Sequence, residues 1–133
     1  MKRRRAVAIW IIGALGMALL GIYVWDRFAP SLARRALPKS ASEVQESYME
    51  FGTGDFIRVL KARVPREEVD LYATRVGALP PGGSVSAGMT SWPPSTAPWW
   101  NPPQKPLYYH AVNRTAVAVG WFDGYVYFSA FHH

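Results

Sequence analysis

A chain of 133 residues with no cysteine has room for one small domain plus an accessory segment, and it excludes disulfides and thiol catalysis. The same lack of cysteine weakens any reading as a zinc site, and no metal ligands or cofactor are assigned. The formal net charge of +6 suggests nucleic acid until it is mapped: from Ser40 onward seven Lys/Arg stand against eight Asp/Glu, so no basic stripe remains for a nucleic-acid partner.

The basic excess lies at the flanks of one segment. After Lys2, Arg3, Arg4 and Arg5 comes AVAIWIIGALGMALLGIYVW, Ala6 to Trp25, twenty residues without a charge. At a rise of about 1.5 Å per residue such a helix is roughly 30 Å long, the thickness of a hydrocarbon core. Trp10 lies near one end, and Tyr23, Trp25 and Phe28 crowd the other, where amphipathic rings favour the headgroups. The reading is a single transmembrane helix at 6–25 with the lipid bilayer as partner. The basic tail, 1–5, is expected to stay in the cytoplasm. The C-terminal part is then extracytoplasmic, at a cell inner membrane. A cleaved signal peptide is the rival, but its apolar region is about 7–15 residues long, and here the run continues past Gly16-Met17-Ala18. Gly13, Ala14, Met17, Ala18 and Gly21 cluster at i, i+4 spacing, which favours close packing against a partner helix in the membrane.

Residues 26–39 read as a juxtamembrane linker, with Pro30 and Pro38 interrupting any helix and Leu32, Arg34 and Arg35 suited to rest on headgroups. The domain, 40–133, opens with Ser40-Ala41-Ser42-Glu43, a capping-box pattern that predicts a short helix with Val44, Tyr48 and Phe51 on one face. Gly52-Thr53-Gly54-Asp55 ends it. FIRVLKARV, Phe56 to Val64, is rich in β-branched residues and predicts a strand. Pro65 then starts PREEVDLYATRVG as a helix, with Glu67 and Glu68 at its positive end, Gly77 at its stop and Val69, Tyr72, Ala73 and Val76 as its buried stripe.

Between residues 78 and 106 lies a long Pro/Gly/Ser/Thr segment with three tryptophans, too aromatic for a simple linker. Leu107 to Val112 predicts a strand, with Asn113-Arg114 as a turn. TAVAVGWF and YVYFSAF, joined by Asp123-Gly124, predict a hairpin of the type I′ kind. Pairing Phe122 with Tyr125 puts Val117, Val119, Trp121, Val126, Phe128 and Ala130 on a core face, and sets Tyr127 opposite Gly120 on the other. The expected fold class is α+β: a transmembrane helix, then about two helices packed on an antiparallel sheet of about three or four strands.

No catalytic constellation emerges. His132 and His133 end the chain, and His110 has no identifiable partner, so a hydrolase using it is the weakest reading. Ser91, His110 and Asp123 can be combined only arbitrarily, because no nucleophile elbow surrounds a serine. Gly52-Thr53-Gly54 and Pro81-Gly82-Gly83-Ser84 do not match a phosphate-cradling pattern. Trp92, Trp99, Trp100, Tyr108 and Tyr109 are the candidate binding residues: either a wall that stacks on glycan or peptide, or area that a small core needs. Adjacent residues of an extended chain point opposite ways, which predicts one of Trp99 and Trp100 packed and the other facing out.

The order of VPREEV, WWNPP and a C-terminal WFDGYVYFSA hairpin, from Asp55 to Ala130, resembles a class of small uncharacterised bacterial single-pass membrane-anchored proteins. The resemblance implies a compact extracytoplasmic domain and supplies no catalytic residue. A non-enzymatic interaction protein, or accessory subunit of an envelope complex, is the leading expectation. A module binding glycan or peptide is the alternative.

Overall fold

The computed structural model describes residues 2–52, 54–79 and 92–132, and two compact units divide the chain at Met1–Ser31 and Leu32–His133. Ser91, the Pro81–Ser84 stretch and His133 lie outside the described residues.

The first unit is a helix, α1, Lys2–Phe28. Its described side chains, Val7 and residues 9–25, are exposed, large apolar ones among them. Among the described residues no helix is long and apolar enough to cross a membrane, so the fold does not establish the span expected at 6–25.

The second unit is α+β. A short helix α2 (Leu32–Arg35) leads to strands β1 (Ser42–Phe51) and β2 (Asp55–Arg63). A 3₁₀ turn at Arg66–Glu68 then enters helix α3 (Val69–Arg75), and strands β3 (Tyr108–Val112), β4 (Thr115–Phe122) and β5 (Tyr125–His132) follow. The five strands make one antiparallel sheet in the order β1-β2-β5-β4-β3.

The helix expected from Ser40 is instead the edge strand β1. Of the three residues that suggested it, Val44 and Tyr48 are four apart, an even number, so they share one face of a strand as readily as one face of a helix, while Phe51, three further on, falls on the other strand face. The ladder decides: β1 pairs with β2 from Gln45↔Lys61 to Phe51↔Asp55. The capping box does not form either, since Ser40 Oγ donates to a carboxylate oxygen of Glu68. The helix expected from Pro65 is correspondingly shorter, a 3₁₀ turn and then seven residues. Its stop is as expected: Gly77 sits at φ +81°, Ala78 N–H donates to Ala73 C=O at 2.9 Å, and Gly77 N–H to Thr74 C=O at 3.2 Å. Those two bonds are a Schellman closure, and glycine suits its left-handed position.

α3 lays Val69, Tyr72, Ala73 and Val76 on one sheet face, against Leu60, Ala62, Val119, Val126, Phe128 and Ala130. Ala33 and Ala36 join this core at 2% and 8% exposure, so the segment after Ser31 packs with the domain. The terminal hairpin has the expected register, Phe122↔Tyr125 and Gly120↔Tyr127, with Asp123 and Gly124 at φ +51° and +82°.

Tyr72 carries a defect. Its ring meets Phe128 edge-on at 6.3 Å, yet among the described residues its buried hydroxyl has no hydrogen-bond partner. Burial pushes the phenol far above its ordinary range, and the Glu46 charge adds to this. A buried unpaired hydroxyl costs about 1–3 kcal/mol. Tyr72→Phe is therefore expected to leave the domain equally or more stable, by up to about 1 kcal/mol in urea melts. A loss above that would place an unseen bond at the hydroxyl.

Candidate functional site

The second sheet face is covered as well, and the Trp/Pro segment contributes to that cover. Strand alternation puts Val59, Lys61, Arg63, Ala118, Gly120, Tyr125, Tyr127 and Ser129 on this face. Val59, Ala118, Tyr127 and Ser129 are buried there, outside the α3 core.

Gly120 opens the seat. A Cβ built on it would stand 2.7 Å from Trp92 Cζ2 and 3.1 Å from Pro103 Cγ, so only a bare backbone admits the indole. Trp92 Nε1 donates to Pro103 C=O at 2.7 Å and ties the two ends of the segment together. Ala97 N–H donates to Ser95 Oγ at 3.2 Å, and Trp100 N–H to Ala97 C=O at 3.0 Å, which fixes the turn preceding the paired tryptophans. Trp100 is then held edge-on to Trp92 at 5.6 Å, to Trp99 at 6.2 Å and, tilted, to Tyr127 at 5.7 Å. Both Trp99 and Trp100 are half-buried. Among the described residues Trp100 meets three rings and Trp99 one, that of Trp100, so the expected division into one packed and one outward ring becomes a difference of degree, in the edge arrangement ring quadrupoles favour.

Polar groups flank the rings. Asn101 Oδ1 accepts from Lys61 Nζ at 2.8 Å and from Tyr127 OH at 3.2 Å. The Lys61 ammonium lies 4.6 Å from the Tyr125 ring centroid, and the Arg63 guanidinium 4.7 Å from it. Glu43, a non-glycine residue at φ +50° in the irregular start of β1, closes the row. Its carboxylate accepts from Arg63 Nε at 2.8 Å and from Tyr125 OH. Those bonds, Tyr125 first and Arg63 second, hold the Glu43 carboxyl below the usual range, and the same bond pushes the Tyr125 phenol up. Burial does so for Tyr127.

Three of the five candidate residues, Trp92, Trp99 and Trp100, are brought together. Tyr108 is not among them: it belongs to the α3 face, where its hydroxyl donates to Asp70 Oδ1 at 2.6 Å beside the Arg66–Asp70 ion pair of 3.0 Å. Tyr109 shares the tryptophans' sheet face by register, opposite Ala118, but lines a separate shallow hollow of about 320 Å³ with Ala111, Asn113 and Arg114. The cluster's other members, Lys61, Asn101, Tyr125 and Tyr127, were absent from the sequence-based list. Strand alternation over Lys61 and Arg63 carried the signal for two cations on the aromatic face.

His110 is half-buried on the edge strand β3, opposite Val117. His132 is ordered within β5, stacked on Phe56 at 5.7 Å with its Nδ1 2.7 Å from Thr115 Oγ1. Among the described residues no group of three His, Cys, Asp or Glu is placed to hold a metal ion. In the first unit, Gly13, Ala14 and Met17 line an apolar groove of about 490 Å³ with Ile9 and Trp10. A Cβ at Gly13 or Gly21 would meet nothing within 4 Å.

Comparison with protein-family models, curated proteins and solved structures returned no match. The site's own chemistry is rings, one amide and cations.

Proposed function

We propose that the chain is a single-pass anchor carrying a small, non-enzymatic interaction domain on the extracytoplasmic side of a cell inner membrane. The observation that carries the anchor is the twenty-residue uncharged run Ala6–Trp25, within a helix whose described apolar side chains face outward. Shielding such a surface from water is strongly favourable, at about 25 cal/mol per Å². Gly13, Ala14, Met17, Ala18 and Gly21 supply the face on which a partner's helix approaches closely. In the domain, the half-buried Trp99 and Trp100, with Lys61 and Asn101 beside them, form the docking surface for an accessory-subunit role.

The test is fractionation of the full chain, followed by capture in mild detergent. The protein is expected to stay with membranes after alkaline carbonate washing and to bring down a membrane partner in fixed proportion. Trp99→Ala is expected to release that partner while the domain stays folded. Recovery in the carbonate-soluble fraction would sink the anchor, and a chain that always purifies alone would sink the subunit role.

A second reading is favoured by one feature, the Lys61 ammonium and Asn101 amide set next to edge-packed rings, which is chemistry suited to a glycan or peptide. Saturable quenching of tryptophan fluorescence by a soluble envelope glycan would support it.

A further inference from the structure

The basic residues that follow α1 in sequence are not a free linker. Ala33 and Ala36 are buried in the core, which turns the rest of α2 outward: Leu32 is 62% exposed, and Arg34, Arg35 and Lys39 are exposed too. A fourth cation arrives from elsewhere in the chain. Arg75, in the last turn of α3, is exposed and donates from Nη1 to Ala36 C=O at 3.4 Å. The fold thereby brings Arg75 to the segment that carries Leu32, Arg34, Arg35 and Lys39. Glu68, held by Ser40, is a carboxylate brought to the end of the same segment. The remainder of the domain is near neutral, so this concentration of charge is local.

We propose that Leu32, Arg34, Arg35, Lys39 and Arg75 form a surface that binds anionic phospholipid headgroups. The proposal rests on the anchor reading, because only residues 26–31 separate the uncharged run from Leu32 and keep the surface on a short tether. A basic side chain near an anionic bilayer favours the bound state by about fivefold, and the gain fades within a Debye length. Four such residues favour contact by a few hundredfold, while a neutral bilayer offers none of this. Leu32 supplies an apolar group to enter the interface beside them.

The lack of cysteine makes the test direct. Leu32→Cys in the full chain is labelled with a nitroxide and reconstituted in phosphatidylcholine vesicles, with or without phosphatidylglycerol. The label is expected to become several-fold more accessible to oxygen than to a water-soluble nickel relaxant only when phosphatidylglycerol is present. High salt should reverse the change. Arg75→Gln is the decisive variant: it lies far from the membrane flank in sequence, so its loss weakens the response about fivefold only if the folded surface binds lipid. Equal accessibility in both vesicles, or no effect of either salt or Arg75→Gln, overturns the proposal. Failure of the labelled chain to float with any vesicle overturns the anchor reading instead, a separate outcome.

Discussion

Gly120→Val is expected to destabilise the domain by about 2–3 kcal/mol and to expose Trp92, the largest effect here from so small a change. A Cβ at Gly120 falls 2.7 Å from Trp92 Cζ2 and 3.2 Å from Cη2, with Pro103 Cγ at 3.1 Å. The indole cannot slide away freely, because its Nε1 is bonded to Pro103 C=O and its ring abuts Trp100. Overpacking of this kind typically costs about 1–3 kcal/mol, and the upper part of that range applies when both obstructing groups are cyclic. Gly120 itself pairs with Tyr127 at the centre of the sheet, so the strand cannot yield either. Chemical denaturation with tryptophan emission as the probe reads both effects. A lower midpoint with red-shifted native emission is the expected pair. An unchanged midpoint would mean that Trp92 is not seated there.

Trp100→Ala is expected to cost about 3 kcal/mol, whereas Trp99→Ala should cost about 1 kcal/mol. Trp100 touches three rings, Trp92, Trp99 and the buried Tyr127, and large aromatic deletions in packed sites cost about 3–5 kcal/mol. Half-burial puts Trp100 at the low end. For Trp99 the aromatic contact among the described residues is the edge of Trp100, worth about 0.5–1.5 kcal/mol. The difference bears on how function is probed. Removing Trp100 unsettles the fold and confounds any binding assay, while Trp99 can be removed with the scaffold intact. Equal losses for the two variants, in urea melts of the full chain in detergent, would reject this assignment.

Much of the strand arrangement was legible in the residues. Asp123-Gly124 names its turn because both positions need positive φ, and the register follows from the period of two. Gly77 and the stripe Val69, Tyr72, Ala73 and Val76 likewise carry their own helix stop and buried face. Ser42–Phe51 misled for a definite reason. Residues four apart satisfy both periods, so the segment's state depended on whether β2 presented a free ladder, which is a nonlocal fact. The β1 edge of the sheet also shows what pattern alone leaves open: it carries Glu43, Glu46 and Glu50, as edge strands often carry charge, and these acids equally suited an exposed helix.

The candidate site divides along the same line. The sequence by itself determined which residues were available: three tryptophans in a proline-stiffened segment, an uncharged run of twenty, and a basic excess confined to its flanks. Only the tertiary structure decided which of them meet. It set Trp92 on Gly120 and Trp100 on Tyr127, sent Tyr108 to the opposite face to bond Asp70, and brought Arg75 to the carbonyl of Ala36. The physical reason is range. Turn chemistry and periodicity act over a few residues, whereas these contacts join positions separated by 27 to 39 residues, where burial and hydrogen-bond geometry choose among many compatible partners.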